Sequence, residues 1–228
     1  MGCLISLFFN LDKKNDKHQY KYVKNHYNSG SDSDSDNLSH TYISLDYLKK
    51  KNPIIISIDG NIGSGKSTIV KYLKDNFKEY IINETGNEYN ICILEEPVNV
   101  WNEIIDEKDG KNIIEKYYED QEKYGFAFQM MAYISRISQI KTAINNNLYD
   151  IIITERSILT DRYIFAKMLY DDNKLNDIEY SIYLKWFDEV SCVMDNIKIV
   201  YIKTSPEVSN KRVIKRQRIG ENISLDYL

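Results

Sequence analysis

Residues 60–68 read GNIGSGKST, which fits the G-x-x-x-x-G-K-[ST] pattern of a phosphate-binding loop. Its glycines let backbone N–H groups curl around phosphate oxygens, and the start of a following helix adds partial positive charge. Lys66 would reach the transferring phosphate, and the Ser67 hydroxyl would bind Mg²⁺. The run therefore predicts a nucleotide-binding protein, with contacts from Gly60, Asn61, Ile62, Gly63, Ser64, Gly65, Lys66, Ser67 and Thr68.

Three further segments hold polar residues that could do chemistry beside such a loop. EEPVNVW, 95–101, carries paired carboxylates, and ERSILTDRYIFA, 155–166, carries two carboxylates and an arginine near its start. In FAFQMMAYISR, 126–136, Gln129 and Arg136 stand seven positions apart, a spacing that puts both on one face of a helix. Either this pair reaches solvent past an apolar stripe, or it looks into a ligand cavity.

The phosphate-binding loop alone does not separate kinases from GTPases or motor-like ATPases. NKLND, 173–177, resembles the guanine-reading NKxD but has Asn176 where Asp is required, which disfavours a GTPase. The formal net charge is −4, so we expect no long nucleic acid as the main partner. The remaining classes must be distinguished by the acidic segments and by the elements that position them.

Four short β-branched runs predict strands buried on both faces: PIIISIDG 53–60, NICILEEP 90–97, DIIITERS 150–157 and IKIVYIKT 197–204. Between and after them, helical patterns cover roughly 66–78, 111–147, 159–170, 177–195 and 206–217. This alternation predicts an α/β fold, in which a parallel sheet is covered by helices on both sides and ligands bind at the carboxyl ends of the strands. The phosphate-binding loop and both acidic segments follow such ends.

Composition is ordinary for one soluble globular domain: 228 residues, 43% hydrophobic and 28% charged. Cys3, Cys92 and Cys192 stand far apart without a CxxC pair. This spacing argues against a zinc site or a disulfide framework and favours a reducing, cytoplasmic compartment. No apolar run approaches the roughly 18 residues that span a bilayer.

The first 50 residues differ from the rest in composition. Residues 10–41 are rich in Lys and Asn and include SGSDSDSDN, 29–37, which has nothing apolar to bury. We therefore predict a disordered tether over 1–50 and a globular domain over 51–228. MGCLIS matches the acceptor pattern for myristoylation at Gly2, and Cys3 could add a palmitoyl chain that anchors the protein to a membrane. The alternative is an unmodified N-terminus that matches this short pattern by chance.

Taken in order, GNIGSGKST, EEPVNVW, FAFQMMAYISR, ERSILTDRYIFA and KRVIKRQR resemble deoxynucleoside kinases of the deoxycytidine and deoxyguanosine kinase type. The resemblance runs from about Pro53 to the last residue. It implies a three-layer P-loop kinase fold, and transfer of the γ-phosphoryl of ATP to a deoxynucleoside 5′-hydroxyl in nucleotide salvage. It also implies Mg²⁺ and a homodimer. The family chain continues beyond a segment like ISLDYL, so we expect four of the five family strands here.

The resemblance also assigns roles at the reacting end. A sugar hydroxyl is a poor nucleophile, so a carboxylate must take its proton, and Glu96 is the first candidate for this general base. Glu155 would hold Mg²⁺ with Ser67, although Glu155 could instead be the general base. Arg156 would stabilise charge between the hydroxyl and the γ-phosphate, beside Lys66.

The arginines of KRVIKRQR, 211–218, correspond to a lid in the resembled family. Such a lid closes on the donor phosphates and keeps water out. The alternative is that these residues only complement the dipole at a helix C-terminus. We favour the lid, formed by Arg212, Arg216 and Arg218.

The remaining candidates would hold the deoxynucleoside. Gln129 can pair with the edge of a nucleobase, beside a charged pair of Arg136 and Asp161. By resemblance, Phe165 stacks on the nucleobase, Trp101 and Phe128 line the pocket, and Tyr118 and Glu221 contact the sugar 3′-hydroxyl. The aromatic residues could equally be core.

The Arg136 and Asp161 pair also bears on the accepted nucleobase. In thymidine-accepting members of the resembled family these positions tend to be apolar, which leaves room for the thymine methyl group. Deoxyguanosine, deoxycytidine and deoxyadenosine are therefore favoured over thymidine. Two rival functions stay open: a nucleoside monophosphate kinase, which would need extra basic residues, and a non-catalytic membrane-tethered nucleotide-binding protein.

Overall fold

The computed structural model describes residues 52–190, 197–218, 221 and 223–228. The predicted tether and the acylation pattern lie outside these residues. Four strands form one all-parallel sheet in the order β2-β3-β1-β4. They are β1 (Ile54–Gly60), β2 (Ile91–Leu94), β3 (Ile151–Glu155) and β4 (Ile197–Ile202). The predicted α/β class and the four parallel strands are thus confirmed.

Helices follow the strands, as the sequence alternation predicts. They are α1 (Lys66–Thr85), α2 (Val98–Asn102), α3 (Ile113–Glu119), α4 (Gln121–Asn145), α5 (Ile158–Thr160), α6 (Lys167–Asp171), α7 (Asp177–Val190) and α8 (Pro206–Arg216). A π-helical segment, Asp161–Ala166, joins α5 to α6. Among the described helices, none combines the length and apolarity needed to cross a membrane.

The prediction of one helix over 111–147 is wrong, because the helix is interrupted at Asp120. Asn112 starts α3 with a capping box, in which its side chain accepts from Glu115 N and the Glu115 carboxylate accepts from Asn112 N. Asp120 then leaves helical geometry, with φ −149°, and its side chain accepts from Lys123 N at 3.1 Å to cap α4. A side chain that accepts a hydrogen bond from a backbone N–H three residues ahead competes in this way with a continuous helix.

The prediction of one regular helix over 159–170 also needs correction. Its middle is π-helical, and such wider turns are rare and cluster at functional sites. Asp161 and Phe165, which stand at the start and near the end of this segment, both line the cavity described below. α2 was not predicted, because five residues are too few to show a helical period.

The core lies between the sheet and the long helix α4. Tyr133, Ile137 and Ile140 of α4 pack against Ile152 of the central strand β3, and α7 covers the same cluster with buried aromatic rings. β3 is buried along its whole length, as its unbroken apolar run predicts. β2 and β4 are the two edges of the described sheet, and β4 pairs with β1 alone among the described strands. Ile199 and Tyr201 of β4 are exposed, so the prediction that this run is buried on both faces is wrong. The packing of α4 fixes which of its residues face the carboxyl ends of the strands.

Candidate active site

A cavity of about 660 Å³ opens at the carboxyl ends of the strands. Apart from Gly60 and Asn61, every residue proposed for the site from the sequence lines it. We call the part formed by residues 62–69 the phosphate end. We call the part formed by Gln129, Arg136, Asp161 and Phe165 the nucleobase end, after the ligand group that the sequence leads us to expect there. Glu96 lies between the two, so one cavity joins the loop to the distant polar pair.

Close packing explains why the loop at the phosphate end needs glycine. Gly63 has φ +74°, and a Cβ built there would stand 2.5 Å from the carbonyl oxygen of Ser209 in α8. Gly60 has φ +152°, and a Cβ there would stand 2.7 Å from the Ile202 carbonyl oxygen at the end of β4. Only glycine combines such backbone angles with this closeness. The loop is therefore held between β1, β4 and α8 with its shape fixed.

Lys66 is buried at the start of α1, and its Nζ donates to the carbonyl oxygen of Asn61 at 2.7 Å. Asn61, which does not line the cavity, thus holds the lysine from behind. Burial, and then the nearby Arg156 charge, lower the pKa of Lys66 to about 7, against the opposing influence of Glu96 and Glu155. A bound triphosphate would supply the negative charge that restores the ammonium form.

Ser67 and Glu155 meet across the phosphate end, where Ser67 Oγ donates to Glu155 Oε1 at 2.7 Å. Hydroxyl and carboxylate oxygens are the ligands that Mg²⁺ prefers, and it commonly takes only one or two of them from protein, with phosphates and water completing the shell. No group of three or more His, Cys, Asp or Glu residues suited to a metal ion occurs in the described part of the chain. The donor set therefore fits Mg²⁺ shared with phosphates better than a metal caged by protein.

Glu96 follows β2 and lies among three guanidinium groups. Its Oε1 accepts from Arg136 Nη2 at 2.9 Å, Arg156 Nε lies 3.8 Å from Oε1, and Arg218 Nη1 lies 3.8 Å from Oε2. Burial acts to raise the pKa of Glu96, but these positive charges outweigh burial and hold it below its usual value. The carboxylate is therefore ionised at neutral pH and can accept a proton or a hydrogen bond.

At the nucleobase end, Gln129 and Arg136 are 2% and 4% exposed, so the interpretation that they reach solvent is wrong. Arg136 Nε donates to Asp161 Oδ2 at 3.1 Å, which gives the expected charged pair. Burial raises the pKa of Asp161 despite the opposing charge of Arg136. Arg136 thus bridges Asp161 and Glu96.

Two buried polar atoms at this end have no hydrogen-bond partner among the described residues. They are Gln129 Oε1, an acceptor, and Arg136 Nη1, a donor. Leaving such atoms unpaired costs about 1–3 kcal/mol each, and native proteins seldom tolerate it without reason. Both residues line the cavity, so a ligand with a matching donor and acceptor would satisfy them.

Aromatic rings form the walls between the polar groups. Trp101 Nε1 donates to Ser135 Oγ at 2.9 Å, and the Trp101 ring meets Phe128 edge to face at 5.5 Å. The Arg156 guanidinium lies over the ring of Phe165, with Arg156 Cζ 4.7 Å from the ring centre. Trp101 and Phe128 pack in one hydrophobic cluster, and both line the cavity together with Phe165.

The expected lid arginines lie beside the phosphate end with different partners. Arg212 Nη1 donates to the Ser64 carbonyl oxygen at 2.8 Å. Arg216 Nε donates to Glu221 Oε2 at 3.0 Å, so both members of this pair are engaged with each other. Arg218 approaches Glu96 instead.

Sequence reasoning missed several lining residues. Tyr117 Oη lies 3.1 Å from Tyr227 Oη, which closes the wall next to the expected Tyr118. Tyr117 and Tyr118 are adjacent in a helical pattern, so only the tertiary packing of α3 reveals that both reach the cavity. The other missed residues are apolar or small: Ile69, Ile114, Ala132, Ile202 and Thr204.

Comparison with known proteins places this geometry in a family. A model of the deoxynucleoside kinase family matches residues 56–228. The chain is 37% identical over 177 residues to a probable deoxycytidine kinase of fowlpox virus, covering 76% of this chain and 66% of that protein. Human deoxycytidine kinase is 34% identical over 186 residues, covering 76% and 70%. Human mitochondrial thymidine kinase 2 is 30% identical over 183 residues, covering 79% and 62%.

Proposed function

This chain belongs to the deoxynucleoside kinase family, and from that premise we propose that it transfers the γ-phosphoryl of ATP to the 5′-hydroxyl of a deoxynucleoside in nucleotide salvage. One observation carries the proposal. A single cavity has a phosphate-binding loop at one end and two buried, unpartnered polar atoms at the other, with the Glu96 carboxylate between them. A nucleobase would satisfy the unpartnered atoms, and its sugar would then extend toward the loop.

The residues along the cavity divide the reaction between them. Glu96 accepts the proton of the 5′-hydroxyl while the hydroxyl oxygen forms its bond to the γ-phosphorus. Lys66 and Arg156 stabilise the charge that spreads over the phosphate oxygens as the bond to the leaving diphosphate breaks. Ser67 and Glu155 would hold Mg²⁺, which supplies charge neutralisation at the donor phosphates. Arg212, Arg216 and Arg218 would close over the donor phosphates and exclude water.

The nucleobase end supports a preference against thymidine. Gln129 Oε1 would accept a hydrogen bond from an exocyclic amine of the nucleobase. Arg136 Nη1 would donate one to a ring nitrogen or carbonyl oxygen. The charged pair of Arg136 and Asp161 fills the side of the cavity where an apolar lining would accommodate a methyl group. The relatives include both deoxycytidine kinases and a thymidine kinase, so they do not favour one nucleobase. The proposed preference therefore rests on the side chains of the nucleobase end.

An acceptor panel tests the proposal. The purified chain is given labelled ATP, Mg²⁺ and each of the four deoxynucleosides, with the four deoxynucleoside monophosphates in parallel. We expect monophosphate products from deoxycytidine, deoxyguanosine or deoxyadenosine and least from thymidine. A strong preference for thymidine contradicts the assignment of the nucleobase end. Phosphorylation of monophosphates alone identifies a nucleoside monophosphate kinase, and binding without any product identifies a non-catalytic protein.

Three features outside the site complete the proposal. Family resemblance supports a kinase domain over 51–228 and a homodimer, which light scattering on the purified chain would detect. The polar composition of 1–50 supports a tether. Acylation at Gly2 and Cys3 would attach that tether to a membrane, and a mass measurement after expression in a eukaryotic host tests it. An unmodified Gly2 excludes the anchor.

A further inference from the structure

Asp59 is a buried carboxylate that neither the loop motif nor the cavity lining accounts for. It is 3% exposed, lies at the end of β1 immediately before Gly60, and does not line the cavity. Its two oxygens accept four hydrogen bonds. Ser157 N donates to Oδ1 at 2.8 Å and Ser157 Oγ donates to Oδ2 at 2.6 Å, while Thr160 Oγ1 donates to Oδ2 and Ser57 Oγ to Oδ1.

Three of these four donors belong to one turn, residues 156–160, that follows β3. The carboxylate therefore ties the tip of β1 to the turn that begins at Arg156, directly after Glu155 at the end of β3. Carboxylates that accept several bonds from backbone and hydroxyl donors are strong, directional anchors. All the hydrogen bonds that Asp59 accepts come from protein groups beside the proposed catalytic residues. The carboxylate therefore fixes the position of the turn and does not contact a ligand in the cavity.

The turn that Asp59 holds has an unusual backbone. Arg156 has φ +69°, the left-handed region that residues with a Cβ seldom occupy. Such strain persists only where surrounding bonds fix it. Here Arg156 N donates to the Ile58 carbonyl oxygen at 3.0 Å, and Ser157, the next residue, is gripped by Asp59 through both its N–H and its hydroxyl. Hydrogen bonds to β1 thus hold the backbone at Arg156 itself and at the next residue, Ser157.

The direction of the Arg156 side chain depends on this backbone. From the left-handed conformation its Nη1 donates to the Gly60 carbonyl oxygen at 3.2 Å, and its Nε lies 3.8 Å from Glu96 Oε1. Relaxation of φ to an ordinary value would swing the side chain away from both. A displacement of about 1 Å at a reacting centre can cost roughly 10²-fold in rate.

We propose that Asp59 is a positioning residue for phosphoryl transfer, which holds the 156–160 turn so that Arg156 meets Glu96 and the phosphate-binding loop. This role rests on the proposed kinase activity. Asp59 does not line the cavity, so its loss should affect turnover much more than binding.

The test is the variant Asp59→Asn, which keeps the size of the side chain but replaces one acceptor oxygen with a donor amide. We expect kcat to fall about 10- to 100-fold, as for other residues that orient a catalytic group, with KM for ATP and deoxynucleoside within about threefold. The matched control is Asp150→Asn, which alters a carboxylate that accepts from Asn90 N at 2.8 Å at the opposite end of β3. That control should keep its kcat.

A double-mutant cycle separates positioning from general destabilisation. If Asp59 acts through Arg156, then Asp59→Asn should cost less than about threefold in an Arg156→Ala background, because the residue being positioned is already gone. Costs that multiply in the double variant would overturn the proposal. Should Asp59→Asn fail to fold, Thr160→Val removes one of the four donors and should lower kcat in the same sense by a smaller factor.

A crystal structure of Asp59→Asn gives a readout that does not depend on turnover. We expect Arg156 to leave the left-handed region and lose its bond to Gly60. An unchanged Arg156 φ overturns the positioning role even if the wild-type chain is an active kinase. If the wild-type chain phosphorylates no deoxynucleoside, the proposed function fails, while this structure still decides whether Asp59 fixes the turn.

Discussion

The two ends of the cavity are built in different ways. The phosphate end is one continuous run of backbone, in which Gly63, at positive φ, lies against α8 and the loop begins at Gly60, against β4. The nucleobase end is assembled from single side chains on α4 and on the π-helical segment, and two of its buried polar atoms still lack partners. A backbone site suits a ligand group that never varies, whereas a side-chain site can be retuned one residue at a time.

Glu96 joins the two ends, and changing it should separate binding from chemistry more sharply than any other substitution. We expect Glu96→Gln to lower kcat by about 10²- to 10⁴-fold, because the amide cannot take the hydroxyl proton. Triphosphate binding, measured by calorimetry, should persist. Glu95→Gln is the matched control, since Glu95 is exposed and pairs with Lys74 at 2.8 Å. Near-normal turnover of Glu96→Gln would remove Glu96 from the mechanism.

The phosphate end should be intolerant of one added carbon. Gly63→Ala places a Cβ 2.5 Å from the Ser209 carbonyl oxygen, so the loop must shift. Its backbone N–H groups would then no longer point at the phosphate oxygens of ATP. We expect ATP affinity to fall roughly 100-fold. Gly110→Ala is the control, because Gly110 has nearly the same φ, +72°, with nothing within 4 Å of its Cβ. Equal losses in both variants would show that φ strain alone is responsible.

The nucleobase end should fail without disturbing the phosphate end. Gln129→Leu replaces the unpartnered acceptor with an apolar side chain of similar size, so a nucleobase amine would be buried without a partner. We expect KM for the preferred deoxynucleoside to rise roughly 30-fold, equivalent to about 2 kcal/mol of lost binding free energy, with ATP binding unchanged. Steady-state kinetics with both substrates measures this. A matching loss of ATP affinity would mean that the two ends are not independent.

The smallest expected effect is a proton linkage at Lys66. Its pKa of about 7 in the free chain should rise when a triphosphate binds, so above pH 7 the complex holds more protons than the free chain. Binding should therefore take up protons, and affinity should weaken by up to about tenfold per pH unit above 7. Calorimetry in buffers of different ionisation enthalpy checks this uptake. Lys66→Arg, which stays charged, should abolish it.

The same division governs what the sequence could predict. The loop and the four strands follow from contiguous patterns, because a strand or a glycine turn is encoded within a few residues. The placement of Gln129 and Arg136 on one face of α4 also follows, from helical spacing. By contrast, the bond from Arg136 to Glu96 spans forty positions and depends on how α4 packs on the sheet.

Local competition accounts for the errors in the predicted helices. Asp120 breaks the helical pattern because its side chain caps α4, which apolar periodicity cannot reveal. The π-helical turn at Asp161–Ala166 keeps a helical composition while changing the period. Tyr117 and Tyr227 were missed because their contact joins two segments that are far apart in the chain.

The guanidinium of Arg136 has a consequence for redesign of the protein. One side chain contacts Asp161 on the recognition side and Glu96 on the reacting side. A neutral residue at position 136 would therefore remove a positive neighbour from Glu96, the proposed proton acceptor, as well as change the nucleobase end. We expect such variants to turn over slowly, and recovery of kcat to require another cationic side chain near Glu96.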